Sequence, residues 1–370
     1  MAILIILITT LCLAYANGAN DNFKGVATLF GSGVTNYRRA LGWATVTTFL
    51  GSLTAVFLAE TLIESFSGKG LVSVELASTV EYGAAVALGA GLTVLVATVI
   101  GMPISTTHSL VGALVGAGWM ADSAIQLEKL GSGFFLPLLV SPVMAFGFAL
   151  VLYPLLSKAR RMMGVKSEFT FMAEGELLLS QNGLSMSDAL KRLAELKTDS
   201  KGEVNLQCRY VGDVIGMEGG KLLNRLHFLS AGMVSFARGL NDTPKIAALL
   251  MLAPALGKFG STALVGGAIG IGGLLSARRV AETMAQKITP MNHGQGFTAN
   301  FLTSLIVIGA SRLGLPVSTT HVSCGSLFGI GTVTGQGRWA VIGRILAAWV
   351  TTLPLGAVLG AISYIITRSF

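Results

Sequence analysis

The sequence predicts an all-α polytopic membrane protein made of two inverted-topology repeats, each with broken spanning helices and one re-entrant hairpin. Three observations carry that prediction: an apolar, charge-poor composition, a pair of motifs that occurs twice in the same order, and an uneven distribution of basic residues between the apolar segments. Of 370 residues, 52% are hydrophobic and 12% charged, with a mean hydropathy of +0.70. Soluble domains carry about twice that share of charge. The 47 glycines suit helices that pack closely or break in a membrane. Three cysteines, two of them inside apolar segments, exclude a disulfide framework and a paired-cysteine metal site. Phosphate-loop, zinc-protease and nucleophile-elbow motifs are absent. The net charge of +8 comes from clusters between apolar segments, which indicates retained membrane loops and not nucleic acid.

The first apolar stretch, residues 1–16, contains a small-x-small triplet, Ala14-Tyr15-Ala16, of the kind signal peptidase cuts. No Lys or Arg precedes it, and a related segment recurs at 228–240, so it reads as a retained span. Further apolar segments lie near 41–63, 83–101, 103–120, 133–156, 228–256, 260–277, 297–312, 316–333 and 338–367. Most reach the roughly 20 residues a helical span needs. Several are short or interrupted by Gly and Pro. The polar stretch 157–225 holds 9 of the 18 acids and reads as a solvated loop of low-stability helices. Within it, Ser187 to Leu193 opens a short amphipathic helix. The expected organisation is therefore 1–156, a first repeat; 157–225, a cytoplasmic loop; and 226–370, a second repeat.

Self-comparison supplies the duplication. Ala16-Asn17-Gly18-Ala19-Asn20-Asp21-Asn22-Phe23-Lys24 returns as Ala237-Arg238-Gly239-Leu240-Asn241-Asp242-Thr243-Pro244-Lys245. Gly101-Met102-Pro103-Ile104-Ser105-Thr106-Thr107-His108 returns as Gly314-Leu315-Pro316-Val317-Ser318-Thr319-Thr320-His321. Gly112, Gly116 and Gly118 then match Gly325, Gly329 and Gly331, and Pro142 matches Pro354. Basic residues set the orientation. Arg38, Arg39, Lys158, Arg160, Arg161, Lys166, Arg278, Arg279, Lys287, Arg338 and Arg344 belong on the cytoplasmic side. Each half must then cross an odd number of times, most simply as three crossings plus one hairpin bent at Ser-Thr-Thr. That is the inverted-repeat plan of secondary transporters, with both termini external and the long loop cytoplasmic.

The Ser-Thr-Thr segments follow a proline, which removes a backbone donor, and their hydroxyl residues favour helix N-caps. Irregular backbone at membrane depth is tolerated where it lines a protein cavity. Freed amides, hydroxyls and the positive end of the following half-helix together form an anion site. The bland alternative, hydroxyls as interhelical glue, fits one occurrence better than two in identical order. His108 and His321 follow; a core role is expected, a proton relay being the alternative. Asp21 and Asp242 need partners, because a carboxylate at the helix centre costs about 2.5–3.5 kcal/mol. One partner is Lys24 or Lys245 at i+3. The other is a bound cation held by the carboxylate, by Asn20 or Asn241, and by backbone that Gly18 and Gly239 allow to unwind. Cations beside the acids would also let an anion approach them. A dianion moving inward against the membrane potential costs about 4.6 kcal/mol per 100 mV, which two monovalent cations would cancel.

On these residues the chain resembles the inorganic phosphate transporter (PiT) family. The resemblance rests on Gly18 to Asp21, Gly239 to Asp242, Pro103 to His108 and Pro316 to His321, and covers nearly all of the chain outside the polar loop. It implies symport of inorganic phosphate with sodium or protons through inverted repeats whose hairpins meet at the substrate. It further implies that Asn20, Asp21, Asn241 and Asp242 form the ion-binding and substrate-proximal group, with sodium as the metal at Asp21 and Asp242. Ser105, Thr106, Thr107, Ser318, Thr319 and Thr320 would bind phosphate. One departure stands out: Gly296-Phe297-Thr298 leads to Asn300, where some members carry a Glu. The short loop and lack of extensions suggest a prokaryotic member, in the cell's plasma (inner) membrane.

Two rivals compete with this reading. A sulfate permease would keep the architecture and change the anion, and a channel with two re-entrant filters would not need buried paired acids. An enzyme is not expected, because the polar groups form no nucleophile–base–orienter set. No covalent cofactor is expected either. The partners are phosphate, sodium or protons, and the lipid bilayer. A homodimer is open, since such bundles often associate, although no segment names its face.

Overall fold

The computed structural model describes residues 2–173, 176–182, 184, 186–199, 204–214, 217–287 and 291–369. α1 (Ala2–Asp21) breaks at a turn and a 3-10 step, Lys24–Val26, and resumes as the short α2 (Ala27–Gly31). α3 (Tyr37–Leu58) is capped by the Asn36 side chain, which accepts from Arg39 N. The short α4 (Glu60–Ser65) and α5 (Val74–Ala77) lead into α6 (Val80–Val99), which turns back as α7 (Thr106–Met120). A π-helical turn at Lys129–Phe135 opens α8 (Leu136–Met162). Next come β1 (Lys166–Ala173), β2 (Glu176–Asn182), α9 (Met186–Asp199), β3 (Val204–Val211), β4 (Asp213–Val214) and β5 (Met217–Glu218). The second half runs α10 (Gly219–Ala247), 3-10 steps at Ala248–Leu252 and Pro254–Leu256, α11 (Gly257–Ser276) and α12 (Arg278–Glu282). It closes with the paired α13 (His293–Arg312) and α14 (Thr319–Thr334), then α15 (Trp339–Thr367).

Among the described residues, six helical segments are long and apolar enough to cross a membrane: Ile3–Gly31, Tyr37–Leu58, Val80–Val99, Lys129–Met162, Pro254–Ser276 and Trp339–Thr367. α10 is equally long but carries Lys221, Arg225, Arg238, Asp242 and Lys245, so it falls outside that set. Lys221 and Arg225 lie exposed at its start, whereas Arg238, Asp242 and Lys245 are buried inside the protein. Leu139, Val143, Val151 and Val350 lie exposed on α8 and α15, the pattern of a surface solvated by lipid. The chain is a multi-pass membrane protein.

Both hairpins turn by the same chemistry. Gly101 and Gly314 adopt φ of 71° and 68°, the left-handed conformation that ends a helix. Around each, two hydrogen bonds close the turn: Gly101 N to Thr98 O and Met102 N to Ala97 O, then Gly314 N to Ser311 O and Leu315 N to Ala310 O. Pro103 and Pro316 prevent the helix from resuming at once. Ser105 and Ser318 then cap α7 and α14, their hydroxyls accepting from His108 N and His321 N at 3.1 and 3.3 Å.

The two halves interlock, and each contact has a counterpart. α1 packs on α11 while α10 packs on α3; α7 packs on α15 while α14 packs on α8. Of the matching glycines, Gly112 and Gly116 lie at the α7–α15 crossing and Gly325 and Gly329 at the α14–α8 crossing. A Cβ on Gly116 would sit 1.8 Å from Ala357 O, and one on Gly325 would sit 2.5 Å from Pro142 O. Gly18 and Gly239 have the same role, which corrects the sequence-based expectation that they break their helices. α1 and α10 run through them unbroken, and a Cβ there would lie 1.9 Å from Ile269 O and 2.0 Å from Thr48 O. The breaks come after the Asn-Asp pairs instead. Gly239→Ala should therefore lower the Tm of the purified protein by several degrees, since overpacking against backbone costs about 1–3 kcal/mol or more. Gly267→Ala on α11 meets open space and should leave it unchanged. Equal melting of the two variants would contradict the close-packing role.

The polar stretch departs from expectation. It was expected as a loop of low-stability helices, but β1 pairs antiparallel with both β2 and β3, and α9 packs on this three-stranded sheet. Phe169, Phe171 and Ala189 form a small core under Leu179, Leu193, Leu196 and Leu206. Burial pushes the Cys208 thiol up to about 12, so it stays neutral beside that core. The alternation Phe169, Thr170, Phe171 was the strand signal, masked by the surrounding charge. Residues 174, 175, 183, 185, 200–203, 215 and 216 of this stretch lie outside the described residues. The amphipathic helix expected from Ser187 is α9.

Candidate functional site

The C-terminal ends of α1 and α10 meet the N-termini of α7 and α14 in one buried centre. Lys24, one turn beyond Asp21, is ion-paired with it. The Lys24 ammonium also donates to Asn20 Oδ1, Ile104 O and Thr320 Oγ1, each at 2.8 Å. Lys245 repeats the pattern. It donates to Val317 O at 2.6 Å and Thr107 Oγ1 at 2.8 Å, and lies 3.7 Å from Asp242 Oδ1. Each lysine therefore touches its own carboxylate, the turn of its own hairpin and a threonine of the other half's hairpin.

The asparagines hold the hairpins to these helices. Asn20 Nδ2 donates to Thr98 Oγ1 at 2.9 Å and Met102 O at 3.1 Å, and Ile104 N returns a bond to Asn20 Oδ1. Asn241 Nδ2 donates to Val317 O at 3.1 Å, Thr319 Oγ1 at 3.3 Å and Asp242 Oδ1 at 3.0 Å, while Ser311 donates to Asn241 Oδ1. Thr106 Oγ1 donates to Asp21 Oδ2 at 2.9 Å, and Thr320 Oγ1 donates to Ile104 O at 3.0 Å. Ser105 and Ser318 accept as caps, which leaves each hydroxyl proton free to donate. All ten residues that the sequence assigned to substrate or cation thus converge, and every one is buried.

Two further residues of the repeated motifs, Asn17 and Arg238, are part of the centre. The Asn17 amide bridges the carboxylates, donating to Asp21 Oδ2 at 2.8 Å and Asp242 Oδ2 at 3.4 Å, and it also reaches Thr106 Oγ1 at 2.9 Å. Arg238, its counterpart in the second motif, has no exposed surface. It donates to Asn17 Oδ1 and Asn22 Oδ1 at 3.1 Å and to Thr48 Oγ1 at 3.5 Å. Its Nε is buried without a hydrogen-bond partner, and it makes no ion pair among the described residues. The signal was available in the sequence, since an arginine within a membrane segment is a functional residue by default.

Charge decides what the centre can hold. Histidines apart, the charged side chains among the described buried residues are Lys24, Arg238 and Lys245 against Asp21 and Asp242. Counted as ionised, three cations and two carboxylates leave one excess positive charge among these buried side chains. Uncompensated buried charge is costly, so an arrangement of this kind favours an anion as its complement. The helix N-termini of α7 and α14 reinforce that preference.

The histidines lie to one side of this centre. The His108 and His321 rings face each other at 4.4 Å, and His321 stacks on Trp349 at 3.8 Å. They line an apolar cavity of about 940 Å³ between α8 and α15, with Leu138, Pro142, Phe146 and Phe328 among its walls.

Residues 17–360 match the phosphate transporter family. The chain belongs to that family. It is 29% identical to a protein of Rhizobium meliloti named as a probable low-affinity inorganic phosphate transporter, over 95% of this chain and 92% of that one. It is 28% identical to a chloroplastic inorganic phosphate transporter of Arabidopsis thaliana, over 96% of this chain and 70% of that one. Among solved structures, a sodium-dependent phosphate transporter superposes with a TM-score of 0.76 at 22% identity, covering 100% of this chain and 99% of that one. At that identity the likeness is one of fold.

Proposed function

We propose that the protein imports inorganic phosphate by cation symport, with alternating access around the buried centre. The observation that carries this reading is the single excess positive charge, held between two helix N-termini and lined by Thr106, Thr107, Thr319 and Thr320. A tetrahedral oxyanion accepts hydrogen bonds from several directions at once. Hydroxyls from both hairpins, the Arg238 guanidinium and the lysine ammoniums are donors of that kind. Asp21 and Asp242 hold the positive charge that screens the anion from them. The coupling ion is sodium or the proton, because net inward movement of anionic charge against an inside-negative potential needs cations.

Residues 1–156 and 226–370 form the two halves, in inverted orientation. Three crossings and one hairpin in each put both termini outside and the 157–225 stretch in the cytoplasm, of a prokaryotic plasma membrane. Alternating access is rocking of one half against the other about the interlocked hairpins. Phosphate and not sulfate is the substrate; both are tetrahedral, so competition separates them.

The test is labelled phosphate uptake into proteoliposomes under a sodium gradient, a proton gradient or neither, with sulfate as competitor. Gradient-driven accumulation that resists sulfate is the expected result. Uptake abolished by modest sulfate would overturn the substrate, and failure with both gradients would overturn the symport. Thr106→Val and Thr319→Val should each raise the apparent KM for phosphate by about tenfold or more, the worth of a hydrogen bond to a charged group. Unaltered kinetics would return those hydroxyls to a packing role.

A further inference from the structure

We infer that the ammoniums of Lys24 and Lys245 are tethered cations that occupy the places at Asp21 and Asp242 where a symported sodium would otherwise bind, so that phosphate transport by this chain requires no sodium. The inference rests on the phosphate reading and names the cations of that same centre.

The geometry around Lys24 Nζ is a cation site already filled. Its neighbours are all oxygens of hard-ligand type: the Asp21 carboxylate, the Asn20 amide oxygen, the Ile104 carbonyl and the Thr320 hydroxyl, the last three at 2.8 Å. Carboxylate, amide and carbonyl oxygens are the ligands that hard metal ions take. Here they converge on a nitrogen held by its own side chain. Lys245 Nζ has a similar set without the amide oxygen: the Val317 carbonyl, the Thr107 hydroxyl and, at 3.7 Å, Asp242.

The carboxylates have little left to offer a second cation. Asp21 Oδ1 is taken by Lys24, and Oδ2 receives bonds from Asn17 and Thr106. Asp242 Oδ1 faces Asn241 and Lys245, and Oδ2 faces Asn17. Electrostatics agree. With the lysines charged, the centre carries one excess positive charge, a match for a phosphate monoanion. Two sodium ions added to it would raise that excess to three, with no carboxylate free to hold them. An ordinary ion pair shielding two acids would need only the acid as partner. The hairpin carbonyls and the threonines of the opposite half tie each ammonium to the phosphate-binding elements instead.

Three measurements on the full chain in proteoliposomes test this. The first is exchange of labelled for unlabelled phosphate with no ion gradient, which reports phosphate recognition alone. The second is uptake with sodium replaced by choline at constant pH gradient. The expected wild-type result is exchange, together with uptake rates equal within about twofold in the two media. The third repeats uptake with Lys24→Ala and Lys245→Ala, which leave an oxygen cage and a carboxylate without their cation. There sodium should stimulate transport by about tenfold or more over choline. Should a variant transport in neither medium, its melting temperature decides. Sodium, and not choline, should raise the Tm of purified Lys24→Ala, while the wild-type Tm should not respond. A wild-type chain that exchanges phosphate but accumulates it only with sodium overturns the inference and leaves the phosphate reading standing. A Lys24→Ala protein blind to sodium in both assays overturns it as well. Absence of exchange in the wild type overturns the phosphate reading first.

Discussion

Arg238→Met should lower phosphate affinity by about two orders of magnitude or more, the loss expected when one partner of a buried charge interaction worth 3–5 kcal/mol is removed. The guanidinium has no carboxylate contact among the described residues, and its Nε is a buried donor without an acceptor. On the proposed reading, its positive charge is the one that phosphate would neutralise. Removing it takes the centre from one excess positive charge to none, while the hydroxyls and helix N-termini remain. Methionine keeps most of the volume, so the packing of α10 on α3 should survive. Arg238→Lys should recover part of the affinity, because it restores charge but not the planar fork that spans Asn17 and Asn22. Phosphate binding by calorimetry, read beside the Tm of each variant, separates the roles. Wild-type affinity in Arg238→Met with only a lowered Tm would make the residue a structural strut between α1, α3 and α10.

Much of this centre was legible in the sequence, because duplication is visible without any structure. Two copies of Asn-Asp and two of Pro-x-Ser-Thr-Thr-His named the ten residues that the fold brings together. The hairpin turns could also be read, since Gly101-Met102-Pro103 and Gly314-Leu315-Pro316 hold a helix stop and a missing donor side by side. What could not be read was where side chains reach between halves. Lys24 sits at i+3 from Asp21, which suggests a local ion pair; that it also touches Thr320, 296 residues away, depends on how the halves interlock. Gly18 and Gly239 misled for a related reason. Glycine signals either a flexible backbone or a close neighbour, and only the opposing backbone at Ile269 and Thr48 decides between them. Arg238 broke the symmetry of the motif, and the departure from Asn17 was itself the clue. The sheet at 166–211 was missed because a charge-rich stretch hid a short period-2 alternation.

Asp21→Asn and Asp242→Asn are equivalent by sequence, yet they should differ in stability. Asp21 is in direct contact with the Lys24 ammonium, and both side chains are nearly inaccessible, so neutralising the acid leaves a buried cation without its counter-charge. Breaking such a pair costs about 3–5 kcal/mol. Asp242 stands 3.7 Å from Lys245, a looser pairing than that of Asp21 with Lys24, while both ammoniums have neutral oxygen acceptors besides. Asp242→Asn should consequently melt closer to the wild type than Asp21→Asn does. Both variants should lose phosphate accumulation, since either one raises the excess positive charge of the centre from one to two and binds the anion too tightly to release it. Asp21→Asn combined with Lys24→Met removes both charges and should regain most of the lost Tm, because replacing a buried pair by apolar volume is often neutral. It should not regain transport, since the threonine of the second hairpin then has no ammonium to meet. Equal melting of the two single variants would mean that the closer contact at Asp21 carries no extra weight. Transport restored in the double variant would show that the pair holds α1 in place and takes no part in moving phosphate.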